Sequence, residues 1–299
     1  MYLLAEIIPF IRRLKLPFSR DQFILLLAAF NLLVLGVDTY LAHNINGAIR
    51  GNMWIPIIFG PAAGAVLLAA GLVAMKRRLA ANAIATLIFL ACIVVAVLGS
   101  FFHLVRGLLP DAPAGQTVTA ILFVYAPPLL SPATFALVGL LVFSAAWEEE
   151  PAGSGSIRLF SQRQVNMPYP KTQAYFFMTG MFILATVISS VLDHARTNFV
   201  NPWLWLPTFT GMFAVVVCCA MGAFRRLTRA DLITYLATMI LLVLVGLIGA
   251  FLHLERNLTE EGTFLGERFL RGAPMLAPLL FANMGLLGVL VLLDPKPAR

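Results

Sequence analysis

The sequence predicts an all-α integral membrane protein: eight transmembrane helices arranged as two tandem, internally duplicated four-helix bundles, related as parallel repeats. Three observations predict it. They are the composition, the number of long apolar stretches, and a set of short motifs that recur at an almost fixed offset. Of the 299 residues, 60% are hydrophobic and 12% charged, whereas soluble domains carry about 25% charged residues. This composition excludes compact soluble enzymes, disordered scaffolds and disulfide-stapled secreted modules. Cys92, Cys218 and Cys219 fall inside apolar runs without metal-ligand spacing and read as small buried hydrophobes.

The elements follow in chain order. Within residues 1–20, Leu3, Leu4, Ile7, Ile8, Ile11 and Leu14 recur at helical spacing beside Arg12, Arg13 and Lys15, which predicts an amphipathic helix lying on the membrane surface. A bilayer core needs roughly 20 apolar residues per helix, because no backbone amide can go unpaired in hydrocarbon. Eight stretches meet that need, near 22–43, 53–75, 81–103, 119–147, 173–194, 203–224, 232–253 and 270–293. The fourth contains Pro127, Pro128 and Pro132, so its first turns are expected to kink or to lie above the membrane. The first bundle therefore covers 21–147 and the second 173–299. Between them, the polar stretch 148–172, with its Gly-Ser-Gly-Ser run at 153–156, reads as a linker. Glu148, Glu149 and Glu150 read as a solvated helix end.

Charge sets the orientation. Fifteen of the 21 Lys and Arg residues fall on the face that carries both termini and the linker; only Arg50, Arg106, Arg196, Arg256, Arg268 and Arg271 fall on the other. An excess of cations marks the cytoplasmic side. Both termini are thus expected in the cytoplasm, with the chain in a bacterial inner membrane among lipid. The net charge of +7 is accounted for without nucleic acid.

The halves match motif by motif. Trp54-Ile-Pro56 with Gly60 meets Trp205-Leu-Pro207 with Gly211, and Arg77-Arg78-Leu79 meets Arg225-Arg226-Leu227. Pro128 and Pro132 meet Pro274 and Pro278, and Gly139-Leu-Leu meets Gly285-Leu-Leu. Each unit crosses the membrane an even number of times, so the copies share one orientation about a pseudo-twofold axis along the membrane normal. The tryptophan and proline of the second and sixth spans read mainly as a headgroup-level anchor and a tolerated first-turn proline; a wall for a quinone headgroup is the other reading.

All four histidines obey the repeat: His43 pairs with His194 and His103 with His253. Each lies about 32 to 35 Å along its helix from the cytoplasmic start, near the outer interface. Around the second pair the pattern lengthens to Gly99-x-x-x-His103-x-x-Arg106 and Gly249-x-x-x-His253-x-x-Arg256. A glycine one turn before a histidine leaves room for something flat, and an arginine one turn nearer water suits a carboxylate. Glycine for clearance, histidine as axial ligand and arginine at the propionates is the side-chain set that haem b requires. The rival readings are a copper, iron or zinc ion held by converging imidazoles, with Asp38, Asp193 or Glu255 nearby, and histidines inherited from a common ancestral unit with no ligand.

With its two four-helix halves and a histidine pair in each, the layout resembles haem A synthase, an eight-span membrane enzyme. That family's glutamate a turn before its first histidine has no counterpart in this chain. The resemblance implies that such a plan holds haem; it does not carry over the substrate or the hydroxylation chemistry. No phosphate-binding loop, nucleophile with its base or zinc-protease motif is found. The expected function is electron transfer near the periplasmic face, between membrane-dissolved quinone and a periplasmic partner or as a membrane subunit of a larger complex. A cofactor-free assembly subunit is the alternative.

Overall fold

The structure, a computed structural model, describes residues 3–13, 15–45, 49–108, 124, 127–160, 163–259 and 264–293. It is helical throughout, apart from one short hairpin between the halves. The helices are α1 (Leu3–Ile7), α2 (Arg20–Asn44), α3 (Trp54–Ala74), α4 (Arg78–Leu108), α5 (Ala133–Ala146), α6 (Lys171–Ala195), α7 (Trp205–Ala223), α8 (Arg229–Thr259), α9 (Leu265–Arg271) and α10 (Leu276–Val291). The hairpin pairs β1 (Ser156–Arg158) with β2 (Gln164–Asn166) antiparallel.

Six helices, α2, α3, α4, α6, α7 and α8, are long and apolar enough to cross a membrane, so the chain is a multi-pass membrane protein. The expected fourth and eighth spans take a different form. The segment 119–123, with residues 125 and 126, lies outside the described residues, and the helix that follows, α5, is a 14-residue apolar segment. Helices α9 and α10 are bent by 55° relative to each other. Pro274 stands in the break, where it has no N–H to continue the helix. Asn257 closes the gap as a two-way bridge: its Nδ2 donates to the Ala273 carbonyl at 2.9 Å and its Oδ1 accepts from the Ala273 N–H at 2.8 Å.

Helix lengths and packing partners recur along the chain. Helices α2 and α6 have 25 residues each, and α4 and α8 have 31. In the first half α2 packs on α3, α3 on α4, α4 on α5 and α5 back on α2; in the second, α6, α7, α8 and α10 follow the same circuit. Small residues allow the close approaches, as at Gly60, where an added Cβ would come within 2.7 Å of the Leu32 carbonyl oxygen. Between the halves, Asn283 Nδ2 donates to Asn31 Oδ1 at 2.7 Å.

At the other segments the structure is more ordered than the sequence reading. Pro9 ends α1 after five residues, and a 3-10 turn, Pro9–Arg13, follows. Leu4 and Ala5 are buried, and the Leu4 N–H donates to the Leu292 carbonyl. This segment thus closes one end of the bundle as well as presenting an exposed apolar side at Ile8 and Phe10. The linker is folded around Glu149, whose carboxylate accepts from the N–H groups of Gly153, Gly155 and Lys171.

Burial is something the charge count does not address, and it is most marked at Arg20 and Lys171. They are buried, at 2% and 1% exposure. Asp21 explains it. Its carboxylate accepts from Lys171 Nζ at 2.6 Å, from Arg20 Nε at 3.2 Å and from the Tyr175 hydroxyl at 3.2 Å. Arg20 also donates to Thr172 Oγ1, and Lys171 to the Trp147 carbonyl. One carboxylate therefore ties the starts of α2 and α6 together while compensating two buried cations. Asp21→Asn leaves both cations without their anion and is expected to lower stability by about 3–5 kcal/mol. Lys171→Met leaves Asp21 paired with Arg20 and is expected to cost less. Thermal unfolding of purified protein in detergent measures both; the reverse order would show that Asp21 is not the centre of the cluster.

Candidate functional site

The four histidines sit near the C-terminal ends of α2, α4, α6 and α8. The imidazoles of His43 and His103 meet edge-on, with ring centres 6.2 Å apart and planes at 69°. His194 and His253 are within electrostatic reach of each other, and Asp38 on α2 is within reach of Asp193 on α6. Both pairs therefore lie at the same end of the bundle. His194 differs from His43 in its ring neighbour, packing edge-on to Phe199 at 6.1 Å.

Three of the four rings are held through the same nitrogen. His43 Nδ1 donates to the Thr39 carbonyl at 2.8 Å, His103 Nδ1 to the Pro128 carbonyl at 2.9 Å, and His253 Nδ1 to the Pro274 carbonyl at 2.9 Å. A carbonyl only accepts, so in the neutral ring the proton is on Nδ1 and the Nε2 lone pair is left available. This is the tautomer of a metal-ligating histidine oriented by a backbone carbonyl. His194 Nδ1 instead meets the Ser190 hydroxyl at 3.4 Å, a group that both donates and accepts, so its tautomer is not set in this way.

The spacing of the first pair is also compatible with a shared metal. An imidazole nitrogen sits about 2 Å from a metal and about 1 Å from its own ring centre, so two rings on opposite sides of one metal have centres about 6 Å apart. The His43 and His103 rings have that separation. Among the described residues, no three His, Cys, Asp or Glu side chains come together as a metal-binding group. The four imidazoles thus do not converge on a single ion. Glu255 is exposed, and Asp193 interacts electrostatically with Arg196, His194 and His253.

The remaining predicted site residues divide. Arg106 lies within electrostatic reach of His103, and both Arg106 and Arg256 are exposed, with no ion pair or side-chain hydrogen bond among the described residues. Gly99 and Gly249 are each covered by a proline: an added Cβ would come within 2.6 Å of Pro132 Cβ at Gly99 and within 2.8 Å of Pro278 Cβ at Gly249. The clearance that the sequence suggested for a flat ligand is taken up by these proline rings. The glycines serve helix contact, bringing α4 against the start of α5 and α8 against the start of α10. What sequence reasoning missed is the role of the upstream prolines, whose carbonyls fix the histidines. The signal was present in the matched spacing of Pro128 with Pro132 and Pro274 with Pro278.

Comparison of the chain with known protein families, curated proteins and solved structures finds no match. The likeness to haem A synthase is thus one of layout, and the site must be argued from its own chemistry.

Gly99→Ala is expected to push Pro132 away from α4 and to cost about 1–3 kcal/mol, as overpacking does. Gly249→Ala should have the same effect at Pro278. Thermal unfolding checks both; unchanged stability would show that the proline contacts are not tight.

Proposed function

We propose that this protein is a redox protein of the bacterial inner membrane, with haem b held between His43 and His103 near the periplasmic face. The single observation that carries the reading is the edge-on pair of imidazoles, with centres 6.2 Å apart and each Nδ1 bonded to a backbone carbonyl. Haem supplies one-electron chemistry, tuned by its axial ligands and surroundings. His43 and His103 would be those ligands. Arg106, beside His103 and without an ion-pair partner among the described residues, would take a propionate, and Arg256 holds the corresponding position three residues after His253. A bare copper, iron or zinc ion on the same two imidazoles is the nearest variant and needs further ligands from outside the described residues.

In this reading the chain has eight spans in two tandem copies, with α5 and the bent α9–α10 pair completing the fourth and eighth. The equal lengths of α2 and α6 and of α4 and α8, the shared packing circuit and the twin bonds from His103 to Pro128 and from His253 to Pro274 support it. Both termini then lie in the cytoplasm. Ligands confined to one end of the bundle cannot carry electrons across the whole bilayer, so the exchange would run between quinone in the membrane and a periplasmic partner, or within a larger complex.

A second reading, a cofactor-free assembly subunit, is favoured by one observation: the Nδ1 bonds of His103 and His253 also secure the breaks ahead of α5 and α10. An absorption spectrum with metal analysis separates the readings. Purified protein is expected to show a Soret band that is lost in His43→Ala and in His103→Ala and kept in His194→Ala. Stoichiometric copper, iron or zinc without that band replaces haem by the bare ion, and absence of both leaves the assembly subunit.

A further inference from the structure

An open apolar groove of about 340 Å³ lies at the start of α7, lined by Pro202, Trp203, Trp205, Leu206 and Phe209. It lies next to the second histidine pair. His194 packs edge-on to Phe199, Phe199 stacks on Trp205 with centres 4.3 Å apart and planes at 24°, and Trp205 stacks on Phe209 at 5.8 Å and 29°. These rings form a continuous ladder from the imidazole to the outer surface, where Trp203 and Phe209 are 71% and 68% exposed. The ladder depends on an unusual turn. Asn198 and Phe199 both take left-handed backbone conformations, at φ 51° and 49°, which bring the Phe199 ring between His194 and Trp205.

An aromatic belt at the headgroup level would explain tryptophans here, but a belt would act on both halves at the same depth. The positions corresponding to Phe199, Pro202, Trp203, Trp205 and Phe209 at the offset of His43 and His194 are Ala48, Gly51, Asn52, Trp54 and Ile58. Only the tryptophan is shared. The second half has therefore gathered three further aromatic rings at one spot that the first half lacks. The indole N–H groups of Trp203 and Trp205 donate to no protein acceptor among the described residues, so two donors are available at an otherwise apolar groove.

We infer that this groove binds the planar headgroup of a lipid-soluble quinone. The exposed ring faces of Trp203 and Phe209 offer stacking to a flat ring, the free indole N–H groups suit its carbonyl oxygens, and the open side lets an apolar tail leave into the bilayer. An acyl chain would use neither the donors nor the flat faces. The inference rests on the redox reading only in naming where that reading's membrane-dissolved carrier docks, and its test measures binding alone.

The test uses the full chain in lipid nanodiscs with Trp54→Phe, so that the remaining indoles are buried Trp147 and the two in the groove. A decyl-substituted benzoquinone is expected to quench the fluorescence saturably, and decanol is expected neither to change the emission nor to compete. Phe209→Ala and Phe199→Ala, which keep both reporters, should each weaken binding by several-fold to about tenfold. Quenching that rises linearly without saturation, that is unchanged in both variants, or that decanol displaces would overturn the proposal. His43→Ala should leave the quenching intact. A protein without a Soret band that still binds the quinone thus refutes the cofactor reading alone, and a Soret band with no saturable quenching refutes the groove alone.

Discussion

A proline-broken helix inside a membrane leaves backbone carbonyls that hydrocarbon cannot satisfy, and the way this chain satisfies them governs the rest of its structure. Pro128 and Pro274 each present a carbonyl to the neighbouring long helix, and in each case a histidine Nδ1 donates to it; the Pro128 carbonyl also accepts from the Ser131 N–H. The bond joins α4 to the approach of α5 and α8 to the approach of α10. One helical turn away, Gly99 and Gly249 let the following prolines, Pro132 and Pro278, press against the same helices. A structural repair thus has a chemical consequence: with Nδ1 committed, the other ring nitrogen is the one that can bind a metal. Fold closure and ring tautomer are set by one hydrogen bond.

That double role explains which parts of the protein could be read from the sequence. Six of the spans follow from apolar runs of the right length, because the bilayer imposes the length and leaves little choice. The correspondence of His43 with His194 and of His103 with His253 needed only the offset between matched motifs. Hydropathy gives no information about hydrogen-bond partners, so the carbonyls of Thr39, Pro128 and Pro274 were not foreseen. The glycines were misassigned for a related reason. A glycine one turn from a histidine means only that something approaches closely, and the sequence does not distinguish a porphyrin from a proline ring on the next helix.

The charge count is silent on burial. It sorts each Lys or Arg by side of the membrane and does not show that Arg20 and Lys171, at the first turns of α2 and α6, are enclosed. Both are enclosed where those helices meet, and Asp21 compensates them. The sequence held one hint, since the two cations occupy matching positions in the halves while Asp21 is opposite Thr172. A lone carboxylate beside two matched cations on helices that start together is the pattern of a shared anion. Such an arrangement specifies how the halves dock more strongly than apolar contact would, because sliding one helix by a single turn would strand a buried charge.

The two halves share a framework but have diverged at the end where the histidines lie, and the divergence has a physical direction. In the first, His43 and His103 pack edge-on against each other, with ring centres 6.2 Å apart. In the second, Phe199 sits against His194, and aromatic side chains continue from it to the lipid-facing surface. The second half thus keeps its histidines and presents, beside one of them, an open surface of stacked rings where the first half has an imidazole pair. Asp38 on α2 and Asp193 on α6 are within electrostatic reach of each other, so these two environments lie at the same end of the bundle and share their electrostatic surroundings.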